Sequence, residues 1–426
     1  PKLAEELLNI ALAYDTYDPK SNYLLGIIHK NGDLNSRYTA KEAFGLALKS
    51  MEYRSAAYTG LAEMALMEKD WNQALKQAKS AQDYNRFNIK AIECEIIADR
   101  LSGNGPLAVE RIHYLLDMDP LNHFAGFEQY LNKPSSENLE LFTHRICNEF
   151  PEQSYLELAL FYHQLQLDQE AQSVLRYAPD QVEIRYWRNY LDKKTPDAMD
   201  APTQLVFPYR PETLPVLEWA ESIKPTWQNR YYMALIRLNL DDSLKAKDLF
   251  KSCKDEPVEA HFYLTRAKLF EGSDSELVLH DLTRARNLEP KNWRTWHAFS
   301  NFYAINHVWD QYLTISNQAS QQIPDHMILN FDRAKAELYN HHYDACLNIL
   351  NTLTLLPAEG AREGHEIYRS AWILRALDNI KRQRYTKALD DLEHARTWPE
   401  SLGVGKPYQT DERVEDYLTG ICHLQM

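Results

Sequence analysis

Glycine is scarce in this 426-residue chain, at 13 residues. Tight turns and phosphate-cradling loops depend on it, so a nucleotide-binding α/β enzyme or a many-turned β-sandwich is disfavoured from the outset. Cysteine is scarce as well. Cys94, Cys147, Cys253, Cys346 and Cys422 lie far apart, and an odd number without paired spacing makes neither a disulfide framework nor a zinc site. They read as buried free thiols. That usage leans toward a reducing compartment, the cytoplasm, and leaves a periplasmic location open. No run of 18 apolar residues exists, so no membrane span is expected. The opening PKLAEELLNI has no basic leader, no long apolar run and no cleavage site. It starts with Pro in the midst of a helical pattern, and the chain is expected to be a processed fragment, with any targeting signal in the missing part. Positive charge is also in deficit: 47 Lys and Arg face 61 Asp and Glu, a net charge of −14. Such a chain repels phosphate backbones, so nucleic acid is not expected as a partner.

What is present is ordinary globular material, 44% hydrophobic, with 26 Tyr and 9 Trp. It is organised in repeats. Ala40, Phe44 and Ala47 are followed 34 residues on by Ala74, Ala78 and Ala81, and 34 further by Ala108, Ile112 and Leu115. Cleaner copies run Tyr155-x2-Leu158-Ala159-x2-Tyr162 with Ala171, Leu175 and Ala178, and Trp296-x2-Phe299-Ser300-x2-Tyr303 with Ser316 and Ala319. A last copy has Trp372, Arg375 and Ala376, then Ala388, Leu392 and Ala395. Pro290, Pro324 and Pro357 close three units in a row. Each unit is predicted to be two antiparallel helices. The bulky residues form one stripe of the first helix, and the small residue beside them lets the second helix approach. A proline after the second helix stops it.

This pattern resembles the tetratricopeptide repeat, W-x2-L-G-x2-Y, then A-x3-F-x2-A, then P. About ten units are expected: 20–50, 54–85, 88–120, 121–151, 152–179, 227–257, 258–290, 291–324, 325–357 and 365–398. The fold class is therefore all-α, a right-handed α-solenoid of about ten such helical hairpins. The expected organisation is an N-terminal array at 1–192, a Pro-rich insert at 193–226, a C-terminal array at 227–398, and a loop with a capping helix at 399–426. In the insert, Pro202, Pro208, Pro211, Pro215 and Pro225 preclude one helix. A helix from about Thr213 to Ile223, with Pro215 in its first turn, is expected to pack on the array or hinge it. Phe207, Tyr209, Leu217 and Trp219 favour packing. Gly403-x-Gly405-Lys406 lacks the spacing of a phosphate loop and reads as a structural loop.

The segments FPYRPETLPVLEWA, WQNRYYMALI and LGVGKPYQTDERVEDYL resemble the C-terminal half of a family of large bacterial proteins of unknown function. In that family the preceding half is a galactose-mutarotase-like β-sandwich. The resemblance implies a missing N-terminal domain and a connection to carbohydrate; it carries no catalytic residues.

No catalytic motif stands out. His341-His342 lacks a second ligand pair and reads as a surface turn. Neither G-x-S-x-G nor a nucleophilic Cys context occurs. No cofactor and no metal is expected. The groove lined by first helices is the expected interaction surface. Counting in the repeat frame places Arg294, His297, Asn301 and Asn330 there, with Tyr231, Tyr232, His261, Lys268, Glu337 and Lys381 as further candidates. His297 and Asn301 occupy two places that clamp a peptide carboxylate in some repeat proteins, but the next unit offers Phe331 rather than Asn, which argues against a clamp. The functional expectation is a scaffold without catalysis of its own, binding a protein segment or the missing domain. The alternative is the helical part of a carbohydrate-active enzyme or a glycan-binding protein.

Overall fold

The computed structural model describes residues 2–195, 203–358 and 361–426. Among them, every regular element is a helix. The chain divides into two compact units, Pro1–Pro202 with Val206–Ile236, and Thr203–Leu205 with Arg237–Met426.

The first unit opens with α1 (Lys2–Tyr14). Hairpins follow: α2 (Pro19–His29) with α3 (Leu34–Ala47), α4 (Met51–Met67) with α5 (Trp71–Tyr84), and α6 (Ile89–Leu101) with α7 (Gly105–Met118). Next come α8 (His123–Asn132) with α9 (Ser136–Arg145), α10 (Pro151–Gln164) with α11 (Asp168–Arg176), then α12 (Val182–Asp192), α13 (Leu214–Ile223) and α14 (Trp227–Asn239), whose last turn counts with the second unit. That unit continues with α15 (Ser243–Ser252), α16 (Ala260–Phe270) with α17 (Ser275–Leu288), and α18 (Trp293–Ile305) with α19 (Trp309–Gln322). It ends with α20 (Met327–Tyr339) and α21 (Tyr343–Thr352), α22 (Glu363–Lys381) and α23 (Tyr385–Ala395), and α24 (Arg413–Gln425). Every repeat expected from the sequence spans two successive helices. The fold is an α-solenoid of helical hairpins.

The repeat residues build the hairpins as their sizes require. Ala74, Ala78 and Ala81 are fully buried. Phe44 inserts between first helices whose glycines leave room for it; a Cβ at Gly26 or Gly60 would come within 2.6 Å of its ring. The serine pair Ser300 and Ser316 replaces a small and a bulky residue, and the two hydroxyls meet at 3.4 Å. Trp296 is a core knob whose Nε1 donates to the Pro290 carbonyl at 2.7 Å.

The turns explain how so few glycines suffice. The residue just before the N-cap of the second helix is left-handed in seven hairpins: Lys69, Gly103, Gln166, Asp241, His307, His341 and Gln383. Six of these are not glycine, with φ between 56° and 64°. Asp33, Asp70, Asp242 and Asp274 then cap second helices, and Ser50, Asn88, Asn122 and Asn292 cap first helices through their side-chain oxygens.

Part of the insert, 196–202, lies outside the described residues. From 206 onward it belongs to the first unit. Trp187 Nε1 donates to Thr213 Oγ1 at 3.1 Å, and that hydroxyl donates to Glu183 at 2.9 Å. Leu214, Val216, Leu217 and Ala220 are buried. Two expectations need correction. Phe207 is 62% exposed and Tyr209 is exposed too, because Pro208 between them takes the buried position. Cys147 is exposed, in the loop after α9, whereas the other four cysteines are buried.

Candidate functional site

First helices stack on one another within each unit, and their shared face is where a partner would lie. In the first unit this face is filled. Helix α6 is buried over nine consecutive residues, 91–99, including Glu93, Glu95 and Asp99. Its Lys90 Nζ sits 4.2 Å over the Phe161 ring of α10, reaching across two hairpins. Lys30 and Glu63 pair beside that ring, and the remaining cavity is about 10 Å³. Arg100 Nε lies 2.7 Å from Glu128, its guanidinium also reaches Glu170 at 3.2 Å, and Tyr162 Oη donates to Glu128 at 2.8 Å. Burial and the Glu128 charge push the Tyr162 phenol far above its usual range. Cys94 is likewise held as a thiol, by burial first and by Glu63 and Glu93 next.

The second unit keeps this face open. Trp293, His297 and Asn301 recur every four residues along α18 and are half-buried. His297 Nδ1 is 2.6 Å from Asp332 Oδ2 on α20, and Asn301 Nδ2 is 3.0 Å from His297 Nε2. The Asp332 carboxylate is 1% exposed. It accepts a hydrogen bond from Nδ1–H, and the Asn301 amide donates to Nε2. An Asp–His pair of this kind activates a nucleophile only if Nε2 faces a hydroxyl or thiol; here an amide fills that position. Trp293 stacks on His326 at 4.8 Å, and Arg294 lies 4.7 Å over the same indole. Burial first, then the nearby His297 and Arg294, lowers the His326 pKa. Lys335 continues the face, 3.5 Å from Asp332, 3.2 Å from Glu363, and over the Phe331 ring.

The structure thus joins Arg294, His297 and Asn301, and adds Trp293, His326, Asp332 and Lys335, which the sequence frame missed. Asp332 falls two positions before Ala334, the small packing residue of its repeat, a place with no motif signal. Asn330 is half-buried and donates to the Pro324 carbonyl at 2.7 Å, closing its own turn. Lys268 and Lys381 are exposed near the ends of their helices, Lys268 paired with Glu271. His261 is bound to Thr203 Oγ1 at 3.0 Å and Glu259 at 3.2 Å. Three candidates are core instead of surface. Tyr231 and Tyr232 are each 1% exposed, and Glu337 is buried beneath His342, which it holds at 2.8 Å. Tyr231 and Tyr232 pack inward because both flank the apolar stripe that continues through Ala234.

A pocket of about 490 Å³ lies where the loop after α23 passes over the first-helix face of α22. Arg369 pairs with the fully buried Glu415 through two nitrogens, one contact at 2.6 Å, and also donates to the Asp411 carbonyl at 2.8 Å. Arg396 pairs with Glu412 at 2.6 Å and Asp416 at 2.8 Å. His365 stacks on Trp398 with ring centres 3.4 Å apart, and its burial lowers the imidazole pKa.

No family model matches the chain, and no curated protein matches it. Among solved structures, a tetratricopeptide repeat protein from Parabacteroides merdae is similar at 14% identity and a TM-score of 0.30, over 64% of this chain and 98% of that one. Yeast Tom70 is similar at 14% identity and a TM-score of 0.28, over 95% and 96% of the two chains. The TPR2AB domain of yeast Sti1, in complex with pHSP90, is similar at 11% and 0.22, over 81% and 100%. At these scores the likenesses add nothing to the helical-hairpin architecture described above.

Proposed function

We propose that the chain is an interaction scaffold without catalysis of its own, and that its second unit does the binding. The observation that carries this reading is the open stripe of Trp293, His297 and Asn301 beside Arg294 and Lys335. The buried Asp332 carboxylate holds His297, which in turn holds Asn301, and His326 stacks on Trp293, so less conformational freedom is lost on binding. Aromatic faces and fixed amide donors suit the alternating apolar and polar groups of an extended protein segment. The partner is such a segment, or the β-sandwich domain that the sequence resemblance implies. A glycan on the same stripe is the alternative occupant.

The test is titration calorimetry of the chain with the separately produced β-sandwich half and with peptides from its linker. Binding weakened at least about tenfold by combined alanines at Arg294, His297 and Asn301 is expected, a loss of about 1.4 kcal/mol. Undiminished binding by that variant would defeat the reading. So would saccharide hydrolysis by this chain alone.

A further inference from the structure

We propose that the pocket under the loop after α23 binds a neutral polyhydroxy molecule the size of one or two sugar rings. It lies on different residues from the α18–α20 stripe and goes beyond the scaffold reading without depending on it. Its volume of about 490 Å³ falls within the roughly 300–1,000 Å³ of small-molecule sites.

The charges on its walls select the ligand class. Arg362, Arg369 and Arg396 face Glu366, Asp411, Glu412 and Glu415. The guanidiniums of Arg369 and Arg396 are already engaged by carboxylates, whose hydrogen bonds raise both arginine pKa values, while Thr410 first and Arg396 next hold the Glu412 pKa down. A phosphate or carboxylate entering here would meet four acidic side chains, and an ammonium would meet three guanidiniums. A neutral ligand meets neither penalty.

Hydrogen-bonding capacity is left over all the same. Arg369 Nη1 has no protein acceptor among the described residues, and Glu366, one helical turn away, exposes its carboxylate. One group can donate to a ligand and the other can accept from it. A hydroxyl can do both, accepting from one group and donating to the other. The half-buried Ser370 adds a third polar point. Ile373, Val404 and Pro407 give the apolar wall that a ring's C–H face requires.

The pocket is preformed. Trp398 is fixed by its stack on His365. The loop is tied at one end, where Leu355 N–H donates to the Ser401 carbonyl at 2.8 Å and Gly403, at φ +70°, lies against the Leu355 and Leu356 carbonyls. It is tied at the other by the bond from Arg369 to Asp411. Between these ties, residues 405–409 stay exposed and roof the cavity.

The test is saturation-transfer NMR on the full chain with glucose, galactose, maltose and cellobiose, with inorganic phosphate and glutamate as competitors. Gly405 lines the pocket and a Cβ there meets nothing within 4 Å, so Gly405→Trp adds bulk at the mouth with no clash at its base. Ser370→Phe blocks the floor and serves as the second variant. Transfer to at least one saccharide is expected, undiminished by phosphate or glutamate. Its affinity should fall at least about tenfold in both variants while their melting temperatures hold. Absence of transfer to every saccharide overturns the proposal. So does transfer that persists in both folded variants, or displacement by phosphate or glutamate.

Discussion

The two units use the same hairpin and put its first-helix face to opposite ends. In the first, the face is consumed: α6 is buried all round, and Arg100, Glu128, Tyr162 and Glu170 knit distant hairpins together. In the second, it stays half-exposed from α18 to α22, and its ion pairs hold side chains upright. The contrast shows that a repeat specifies how neighbours stack but leaves the inner face free to become core or binding surface. What decides whether the face is filled or left open is the size and charge of residues outside the repeat frame, such as Phe161 and Lys90 in one unit and His297 and Asn301 in the other.

The comparison breaks first at buried charge. Glu128→Ala removes the fully buried carboxylate shared by Arg100 and Tyr162, leaves Arg100 with Glu170 alone, and should cost about 3 kcal/mol in urea denaturation. Asn301→Ala, on the open face, removes one hydrogen bond and should cost about 1 kcal/mol. Equal losses would erase the distinction.

Mild acid should move the units in opposite directions. His326 and His365, both in the second unit, have lowered pKa values, first of all from burial. Their neutral forms supply stability above the unfolded value near 6.5, and it drains away as pH falls toward their folded values. Glu93 and Asp99, in the first unit, have pKa values raised chiefly by burial. Those groups are relieved as pH falls through their raised values, so their penalty shrinks. Hydrogen exchange between about pH 7.5 and about pH 5.5 should show α18–α24 loosening while α4–α10 hold or tighten. Uniform loosening would contradict this.

The smallest effect should be shared. Gln166→Gly and His341→Gly each place glycine at a φ near 60°, in the first and second unit respectively. Relief of about 1–2 kcal/mol of left-handed strain, less the backbone entropy of glycine, leaves about 0.5–1 kcal/mol of stabilisation in each unit. Thermal melts of the two variants measure it.

Much of the fold was legible because hairpin packing is written in size. Ala74, Ala78 and Ala81 recur in phase with Ala40 and Ala47, and each is fully buried. Pro215 marked the first turn of α13. The site was less legible. Arg294, His297 and Asn301 followed from counting, but Asp332, which orients His297, sits off the repeated positions. Tyr231 and Tyr232 were misplaced because an aromatic pair within a first helix reads alike whether it faces a groove or a core. The pocket residues Arg369, Trp398 and Glu415 lie 46 residues apart at the extremes, joined by a loop whose path no local pattern encodes.

Thiol labelling tests the central contrast most directly. In a Cys147→Ser background the remaining cysteines are buried, and Cys94 lies within the filled face of α6. Adding Asn301→Cys places one thiol on the open face of α18. Under native conditions the account predicts rapid labelling at residue 301 and none at Cys94 until the chain unfolds. Native labelling of Cys94 at a rate comparable to residue 301 would contradict it.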